Sequence, residues 1–271
     1  MPGPVSHGRF VWYDLMTTDP DAAADFYGKV AGWASVPFEG GPQEEGKGPY
    51  MMWMAGERPI GGRDRLPEEA KAMGAPTHWL AYVTVPDTEV AVRRALELGG
   101  TVLMEPLTMD EVGTFAVLQD PQGAVFCPFT PEEGAGGEVT EPLPGQFSWH
   151  ELYTTDQEAA FEFYSSLFGW EKTEAMEMGD MGTYQMFGPE AGNTFSYGGM
   201  MNKPEQMPGP PAWLYYIMVP DVEQAAAAVT ELGGQVWNGP MAVPGGDMIA
   251  MCFDPQGGAF ALHAKAPAKE D

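Results

Sequence analysis

The chain has 271 residues, of which 44% are hydrophobic and 12% aromatic, so it can bury more than one core and is not a disordered chain. Thirteen basic against 39 acidic side chains give a net charge of −26, which argues against nucleic acid or an anionic membrane surface as partner. Two scattered cysteines, and no apolar run of about 20 residues, predict a protein of the reducing cytoplasm with no disulfide framework, leader or membrane span.

The first predicted elements are a strand and a helix. Apolar and polar residues alternate over residues 10–16, which predicts a strand with two different faces. Thr18 or Asp19 then caps a helix whose apolar side chains fall at helical spacing until Gly32 ends it. Short strands separated by Gly and Pro follow over residues 50–62, so the first segment predicts one strand, one helix and about three strands.

The same order is predicted again after a loop that contains Pro and Gly at residues 63–76. Residues 79–85 predict a strand, and a helix starts near Asp87 and ends at the pair Gly99 and Gly100. Three more strands follow, so the chain before residue 130 predicts two βαβββ modules.

A segment rich in Gly, Pro and Glu, without apolar periodicity, then marks an interdomain linker. Beyond it the pattern begins again, because residues 147–170 are identical to residues 10–33 at half of the aligned positions. The repeat is far longer than the roughly 20 to 50 residues of a solenoid unit, so each copy is a whole domain. The predicted limits are residues 8–130 for the first domain, 131–145 for the linker and 146–265 for the second domain.

Three motifs occur in the same order in each half of the chain. They are TTDPDAAADFYGKVAGW or TTDQEAAFEFYSSLFGW after the first strand, a VPD-helix-LGG block, and DPQG before the last strand. In this order, and duplicated, they resemble the vicinal oxygen chelate superfamily, which includes glyoxalase I, bleomycin-resistance proteins and extradiol dioxygenases. The resemblance covers almost the whole chain. It implies an α+β fold with tandem glyoxalase-like domains, whose four βαβββ modules form open β cups that hold a divalent metal or a small molecule.

In the metal enzymes of this family, His, Glu or Gln ligands come from strands that line the cup. Trp, Gly, Leu and Ala at the matching positions cannot coordinate a divalent cation, and one Cys cannot replace the whole set. We therefore predict no metal and no other cofactor, with a relocated metal site that uses His150, Glu151 or His263 as the alternative. The matching positions are Trp12, approximately Gly62, Leu80 and Cys127 in the first half, and Trp149, approximately Gly199, Leu214 and Ala261 in the second.

Strand alternation places an aromatic ring beside a carboxylate in each predicted cup, Trp12 with Asp14 and Trp149 with Glu151. Such a wall suits a flat or partly apolar organic molecule, and a carboxylate withdrawn from water can act as a general acid or base. His263 takes the place of Phe129 of the first half, so the two cups differ chemically and the second cup is favoured as the active one. The predicted ligand-binding residues are Trp12, Trp149, Tyr153, Tyr82, Tyr216, Met52 and Met186, and the predicted catalytic residues are Glu151, Asp14 and His263.

These residues predict a glyoxalase-like and bleomycin-resistance-like protein, free of metal, that binds a small organic molecule in aromatic-lined cups. The alternative is a metal-independent lyase, isomerase or hydrolase in which Glu151 or Asp14 transfers a proton and His263 assists. A metal-dependent glyoxalase or dioxygenase conflicts with the ligand positions. The same side chains also suit plain core packing, because duplication preserves structural and functional residues equally. A monomer and a homodimer both satisfy the pattern.

Overall fold

The computed structural model describes residues 7–38, 40, 49–132, 141–190, 195–207 and 209–266. Part of the predicted linker, residues 133–140, lies outside this range. Within it, each of four successive modules consists of one strand, one helix and three strands, which confirms the predicted α+β fold with tandem glyoxalase-like domains. No helix in these ranges is long and apolar enough to cross a lipid bilayer.

The elements follow the predicted order in both halves. In the first half they are β1 (Phe10–Thr17), α1 (Pro20–Val30), β2 (Ala34–Pro37), β3 (Met51–Ala55), β4 (Arg58–Arg65), α2 (Glu68–Ala72), β5 (His78–Thr84), α3 (Thr88–Glu97), β6 (Thr101–Met109), β7 (Gly113–Gln119) and β8 (Val125–Pro131). In the second half they are β9 (Phe147–Thr154), α4 (Gln157–Phe168), β10 (Glu171–Glu177), β11 (Thr183–Gly188), β12 (Gly198–Asn202), β13 (Ala212–Met218), α5 (Val222–Glu231), β14 (Gln235–Ala242), β15 (Met248–Phe253) and β16 (Ala259–Ala264).

Helix α2 lies in a segment that was predicted to be a loop. It has five residues and no buried side chain, and its N-cap residue, Pro67, makes no side-chain capping bond. A helix of little more than one turn cannot show the apolar periodicity by which longer helices are recognised. The longer helices begin where predicted, and the choice between Thr18 and Asp19 falls on Asp19, whose side chain accepts a hydrogen bond from the Ala22 N–H at 3.1 Å.

Each half of the chain forms one eight-stranded mixed sheet. The strand orders are β2-β3-β4-β1-β5-β8-β7-β6 and β10-β11-β12-β9-β13-β16-β15-β14. The first strand of every module runs parallel to the last strand of the same module, and the other pairs within a module are antiparallel. The start and the end of each module therefore lie side by side.

Contacts divide the chain into two compact units, and each unit takes modules from both halves. Unit 1 consists of Met1–Trp12, Leu80–Val139 and His150–Trp213, and unit 2 consists of Tyr13–Trp79, Thr140–Trp149 and Leu214–Asp271. Unit 1 thus contains the second and third modules, with α3 packed on α4, and unit 2 contains the first and fourth, with α1 packed on α5.

A buried tyrosine links a helix to the DPQG motif in unit 2. The Tyr27 hydroxyl donates to Asp254 Oδ2 at 3.1 Å and accepts from Trp79 Nε1 at 3.0 Å. The other carboxylate oxygen of Asp254 closes its own turn, because it accepts from the backbone N–H groups of Gln256 and Gly258 at 2.9 and 2.8 Å. All of these polar atoms are paired, as buried polar groups must be.

The same arrangement occurs in unit 1 with the equivalent residues. The Tyr164 hydroxyl donates to Asp120 Oδ2 at 3.0 Å and accepts from Trp213 Nε1 at 3.1 Å. The tyrosines come from the TTD motifs, the aspartates from DPQG and the tryptophans from the first strand of the VPD block. The residues by which the family is recognised therefore stabilise the two cores.

The first strands of the two halves also make an equivalent contact in each unit. Phe10 stacks on His150 in unit 1 with ring centroids 3.7 Å apart, and Tyr13 stacks on Phe147 in unit 2 at 3.8 Å. The alignment of the two halves pairs Phe10 with Phe147 and Tyr13 with His150, so one contact is made twice with exchanged partners.

Candidate functional site

In unit 2 the predicted catalytic residue Asp14 is paired with a tyrosine. Asp14 is only 4% exposed, and its Oδ1 accepts a hydrogen bond from the Tyr50 hydroxyl at 2.5 Å, the short end of the range for O–H···O bonds. The strand register places Gly62 opposite both Asp14 and Met52. A Cβ atom at Gly62 would overlap the Tyr50 hydroxyl. The tyrosine therefore occupies the space that a ligand side chain at position 62 would need.

In unit 1 the predicted catalytic residue Glu151 lies in a matching environment. Glu151 is 5% exposed, and Gly199 lies opposite it and opposite Met186 in the strand register. A Cβ atom at Gly199 would overlap the ring of Tyr184. The hydroxyl of Tyr153 also bonds to Glu151, and burial, the nearby negative charge and this bond together raise the pKa of Tyr153. Each half thus has a buried carboxylate bonded to a phenol.

Aromatic rings surround two of the family's metal-ligand positions in unit 1. Leu80 and Cys127, which stand at those positions, are buried together with Tyr82. The Tyr82 ring makes edge-to-face contacts with Phe115 and Phe129, at centroid distances of 5.4 and 6.0 Å. We call this set, with the half-buried Trp12 that packs against it, the aromatic cluster. It brings two predicted ligand-binding residues, Trp12 and Tyr82, together.

In unit 2 the third predicted catalytic residue, His263, contacts two polar side chains that sequence analysis did not connect with it. Its Nδ1 lies 2.8 Å from Ser148 Oγ, and its Nε2 lies 2.9 Å from Asp247 Oδ2. The side chains of His263 and Asp247 are 12% and 29% exposed. Burial alone would raise the pKa of Asp247, but hydrogen bonds from the Ala266 N–H and from His263 outweigh burial and lower that pKa.

The remaining predicted ligand-binding residues have different surroundings. Trp149 is half-buried on β9, whereas Tyr216 is almost fully buried on β13 and its carbonyl oxygen lies 3.3 Å from Ser148 Oγ. Met52 and Met186 are half-buried at the glycine positions described above. The ligand-binding role of all four residues stays a prediction.

The side chains at the predicted ligand positions do not fit the divalent metal that the metal enzymes of this family hold. Trp, Gly, Leu, Cys and Ala stand at the ligand positions, and across the described ranges no three His, Cys, Asp or Glu side chains are grouped so as to hold a metal ion. His150, part of the alternative metal site, is buried in the core. Its Nδ1 donates to the carbonyl oxygen of Tyr197 at 2.6 Å, and burial lowers its pKa to about 4, so the ring is neutral at pH 7.

Comparisons with known proteins identify the family. The sequence profile of the Glyoxalase-like domain matches residues 11–129, and that of the Glyoxalase/Bleomycin resistance protein/Dioxygenase superfamily matches residues 146–262. The anthracycline biosynthesis protein DnrV of Streptomyces peucetius is 30% identical over 275 residues, which cover 94% of this chain and 92% of DnrV. This chain belongs to the glyoxalase, bleomycin resistance and dioxygenase superfamily. The predicted recognition is thereby confirmed.

Solved structures of superfamily enzymes share the fold at low sequence identity. The Mn(II)-bound glyoxalase from Novosphingobium aromaticivorans has a TM-score of 0.61 and 17% identity, with coverage of 96% of this chain and 82% of that protein. The 2,3-dioxygenase LapB from Pseudomonas sp. KL28 has a TM-score of 0.64 and 14% identity, with coverage of 99% and 97%. At these identities the likeness shows the common fold, and the chemistry must be argued from the site.

Sequence analysis missed three polar side chains, Tyr50, Ser148 and Asp247. Tyr50 opens a predicted strand segment, directly precedes β3 in the structure, and could have been found as the counterpart of Tyr184. Ser148 could have been found from the alignment of the two halves. Ser148 precedes the ligand position Trp149 and the Tyr50 hydroxyl lies at the ligand position Gly62, whereas Asp247 lies in a loop and has no periodic signal.

Proposed function

We propose that this superfamily member binds a small, flat organic molecule without using a metal ion. The observation that carries the proposal is the absence of suitable metal ligands at the four positions of each half that hold them in the family's metal enzymes. Two of these positions, Leu80 and Cys127, lie in the aromatic cluster, and tyrosine rings cover two others, Gly62 and Gly199. Half-buried aromatic rings with a few polar groups are typical of small-molecule sites.

The relative DnrV suggests the class of ligand. Its name places it in the biosynthesis of anthracyclines, which are polycyclic aromatic compounds that carry phenol and quinone oxygens. Rings of this kind can pack on Phe115 and Phe129, whose side chains lie in the aromatic cluster of unit 1. We therefore propose a hydroxylated polycyclic aromatic ligand for this chain.

Calorimetric titration of the full chain with a hydroxyanthraquinone, with and without EDTA, tests the proposal. We expect the same Kd in both buffers, and a Kd about tenfold higher in Phe129→Ala, which corresponds to about 1.4 kcal/mol. Leu103→Ala is the matched control, since Leu103 is an exposed apolar residue on β6 in the same unit. Binding that requires a divalent ion, or that is equal in Phe129→Ala and wild type, would contradict the proposal.

The second candidate function is a metal-independent lyase, isomerase or hydrolase. It is favoured by the two buried pairs, Asp14 with Tyr50 and Glu151 with Tyr153, because a carboxylate that a phenol hydroxyl holds in place can accept a substrate proton. Glu151→Gln should abolish turnover and retain ligand binding, whereas Glu158→Gln, on the exposed face of α4, should leave both unchanged. Equal turnover in Glu151→Gln and wild type would remove this candidate.

Three further expectations complete the proposal. A reducing cytoplasm is the proposed location, because the described cysteines, Cys127 and Cys252, are buried free thiols. Residues 8–130 and 146–265 are the proposed domain limits. A monomer and a homodimer are both proposed as the assembly that binds the ligand.

A further inference from the structure

We infer that Ser148, His263 and Asp247 form a second reactive site, in which Ser148 is the nucleophile for acyl transfer from small esters. The three side chains make a continuous chain of hydrogen bonds within unit 2, from Asp247 Oδ2 to His263 Nε2 at 2.9 Å and from His263 Nδ1 to Ser148 Oγ at 2.8 Å. A nucleophile, a base within hydrogen-bond reach and a third group that orients the base are the parts that activate a serine.

The positions of the protons support this order. A neutral imidazole carries hydrogen on one nitrogen, and Asp247 accepts that hydrogen from Nε2. The lone pair then lies on Nδ1, where it can accept from the Ser148 hydroxyl at 2.8 Å. The carbonyl oxygen of Tyr216 is a second acceptor near this hydroxyl, but at 3.3 Å it is the more distant one. His263 is therefore placed to take the serine proton.

Partial exposure makes the site accessible. Ser148 is half-buried, and the side chains of His263 and Asp247 are 12% and 29% exposed. Asp247 is also fixed from its other side, because Oδ1 accepts from the Ala266 N–H at 2.8 Å. The aspartate is thus a positioning residue, held by the backbone on one oxygen and by the histidine on the other.

The first half of the chain has none of these residues. Alignment on the DPQG motif and on the first strands pairs Ser148 with Val11 and His263 with Phe129, and it pairs Asp247 with Gly113. The fold therefore forms without the three polar groups. Because they contact one another and occur together in one half only, core packing common to both halves does not account for them.

The proposed reaction balances with water as the second substrate. Ser148 Oγ bonds to the ester carbonyl carbon while its proton moves to His263 Nδ1. The bond to the alcohol oxygen then breaks, and the departing alcohol takes the proton from His263. Water attacks the acyl-serine and passes one proton through His263 back to Ser148 Oγ. The products are a carboxylic acid and an alcohol.

Incubation of the full chain with para-nitrophenyl acetate tests the inference through nitrophenolate release and through peptide mass mapping. We expect an acetyl group on Ser148, and acetylation slowed about 100-fold or more in His263→Phe, since a general base contributes roughly 10² to 10⁴ in rate. Asp247→Asn should also slow acetylation, and Asp247→Glu should restore part of the rate. Acetyl groups found only on amines would overturn the inference.

Matched variants separate this site from structural effects. Ser148→Val and His263→Phe carry the residues that the first half has at the equivalent positions, and their thermal unfolding shows whether the fold is kept. If His263→Phe does not fold, His263→Gln gives the same rate test. Acetylation of Ser148 at the wild-type rate without the imidazole would overturn the inference. The inferred reactivity of Ser148 does not depend on the proposed ligand binding, which the titration of Phe129→Ala measures separately.

Discussion

Removal of one buried hydroxyl should show that the family motifs stabilise the fold and do not take part in ligand binding. In Tyr27→Phe the aromatic ring stays, while the oxygen that joins Trp79 to Asp254 is lost. Tyr27 and its two partners are at most 5% exposed, so water cannot easily replace the missing oxygen.

The expected loss of stability follows from the two bonds. The Trp79 N–H is left without an acceptor, and an unsatisfied buried donor costs about 1 to 3 kcal/mol. Asp254 loses the hydrogen bond from Tyr27 but keeps those from Gln256 and Gly258. A hydrogen bond to a charged group contributes roughly 1.5 to 3 kcal/mol, and because two donors remain, we expect the loss of this bond to cost an amount at the lower end of that range. We therefore expect the free energy of unfolding to fall by about 3 kcal/mol.

The dependence on pH gives a second test of the same change. Burial raises the pKa of Asp254, while the Tyr27 hydroxyl acts against burial and lowers it. Because the hydroxyl favours the charged carboxylate, its removal should cost most where Asp254 is ionised. The difference between Tyr27→Phe and wild type should therefore shrink as the pH falls through the pKa of Asp254.

Urea unfolding followed by tryptophan fluorescence measures these differences. Tyr164→Phe, the equivalent change in unit 1, should give a loss of similar size. Tyr197→Phe is the control, since Tyr197 is half-buried and its hydroxyl has no hydrogen-bond partner in the described part of the chain. Ligand affinity should stay the same in all three variants. A loss below about 0.5 kcal/mol in Tyr27→Phe, or a large loss of affinity, would refute the reasoning.

Two further predictions concern buried titratable groups. Between pH 6.5 and pH 4 the free energy of unfolding should fall by up to about 3 kcal/mol, because burial lowers the folded pKa of His150 to about 4 and protonation then favours the unfolded chain. His150→Tyr carries the residue that the first half has at this position, Tyr13. Urea titrations should show that its free energy of unfolding falls less steeply with pH in this window, and an equally steep fall would contradict the prediction. Burial raises the pKa of Cys252 to about 12, so a disulfide reagent such as Ellman's should label this thiol only in the unfolded chain. Rapid labelling of Cys252 in the folded chain would contradict it.

Local patterns predicted most of the fold, because strands and longer helices leave periodic signals in the sequence. Helix α1 and its cap at Asp19 follow from apolar spacing and from one acidic residue before it. Helix α2 did not follow, because five residues are too few for a period of 3.6. Local patterns also did not predict the division into two units, since each unit joins a module of the first half to a module of the second half.

Less of the candidate site could be predicted, because its contacts join residues that are distant in sequence. Alternation placed Trp12 with the cup face, and the structure packs it against Tyr82 as part of the aromatic cluster. No local pattern connects Ser148 with His263, which are 115 residues apart, and a loop residue such as Asp247 has no periodicity at all. Pairings of this kind are set by strand register, which a single sequence does not specify at such range.

The two halves of the chain supply the comparison that separates structural from functional residues. Tyrosine and aspartate occur in both halves where they join a helix to the DPQG turn, as in the pair of Tyr27 and Asp254, so the fold explains their presence. The cup carboxylates also occur in both halves, and their roles must be found by substitution. Ser148 and His263 occur in one half only, although β9 and β16 have close counterparts in the other. Because the other half folds with valine and phenylalanine there, a requirement of the common fold cannot explain the polar pair, and chemistry at the second half is the explanation to test.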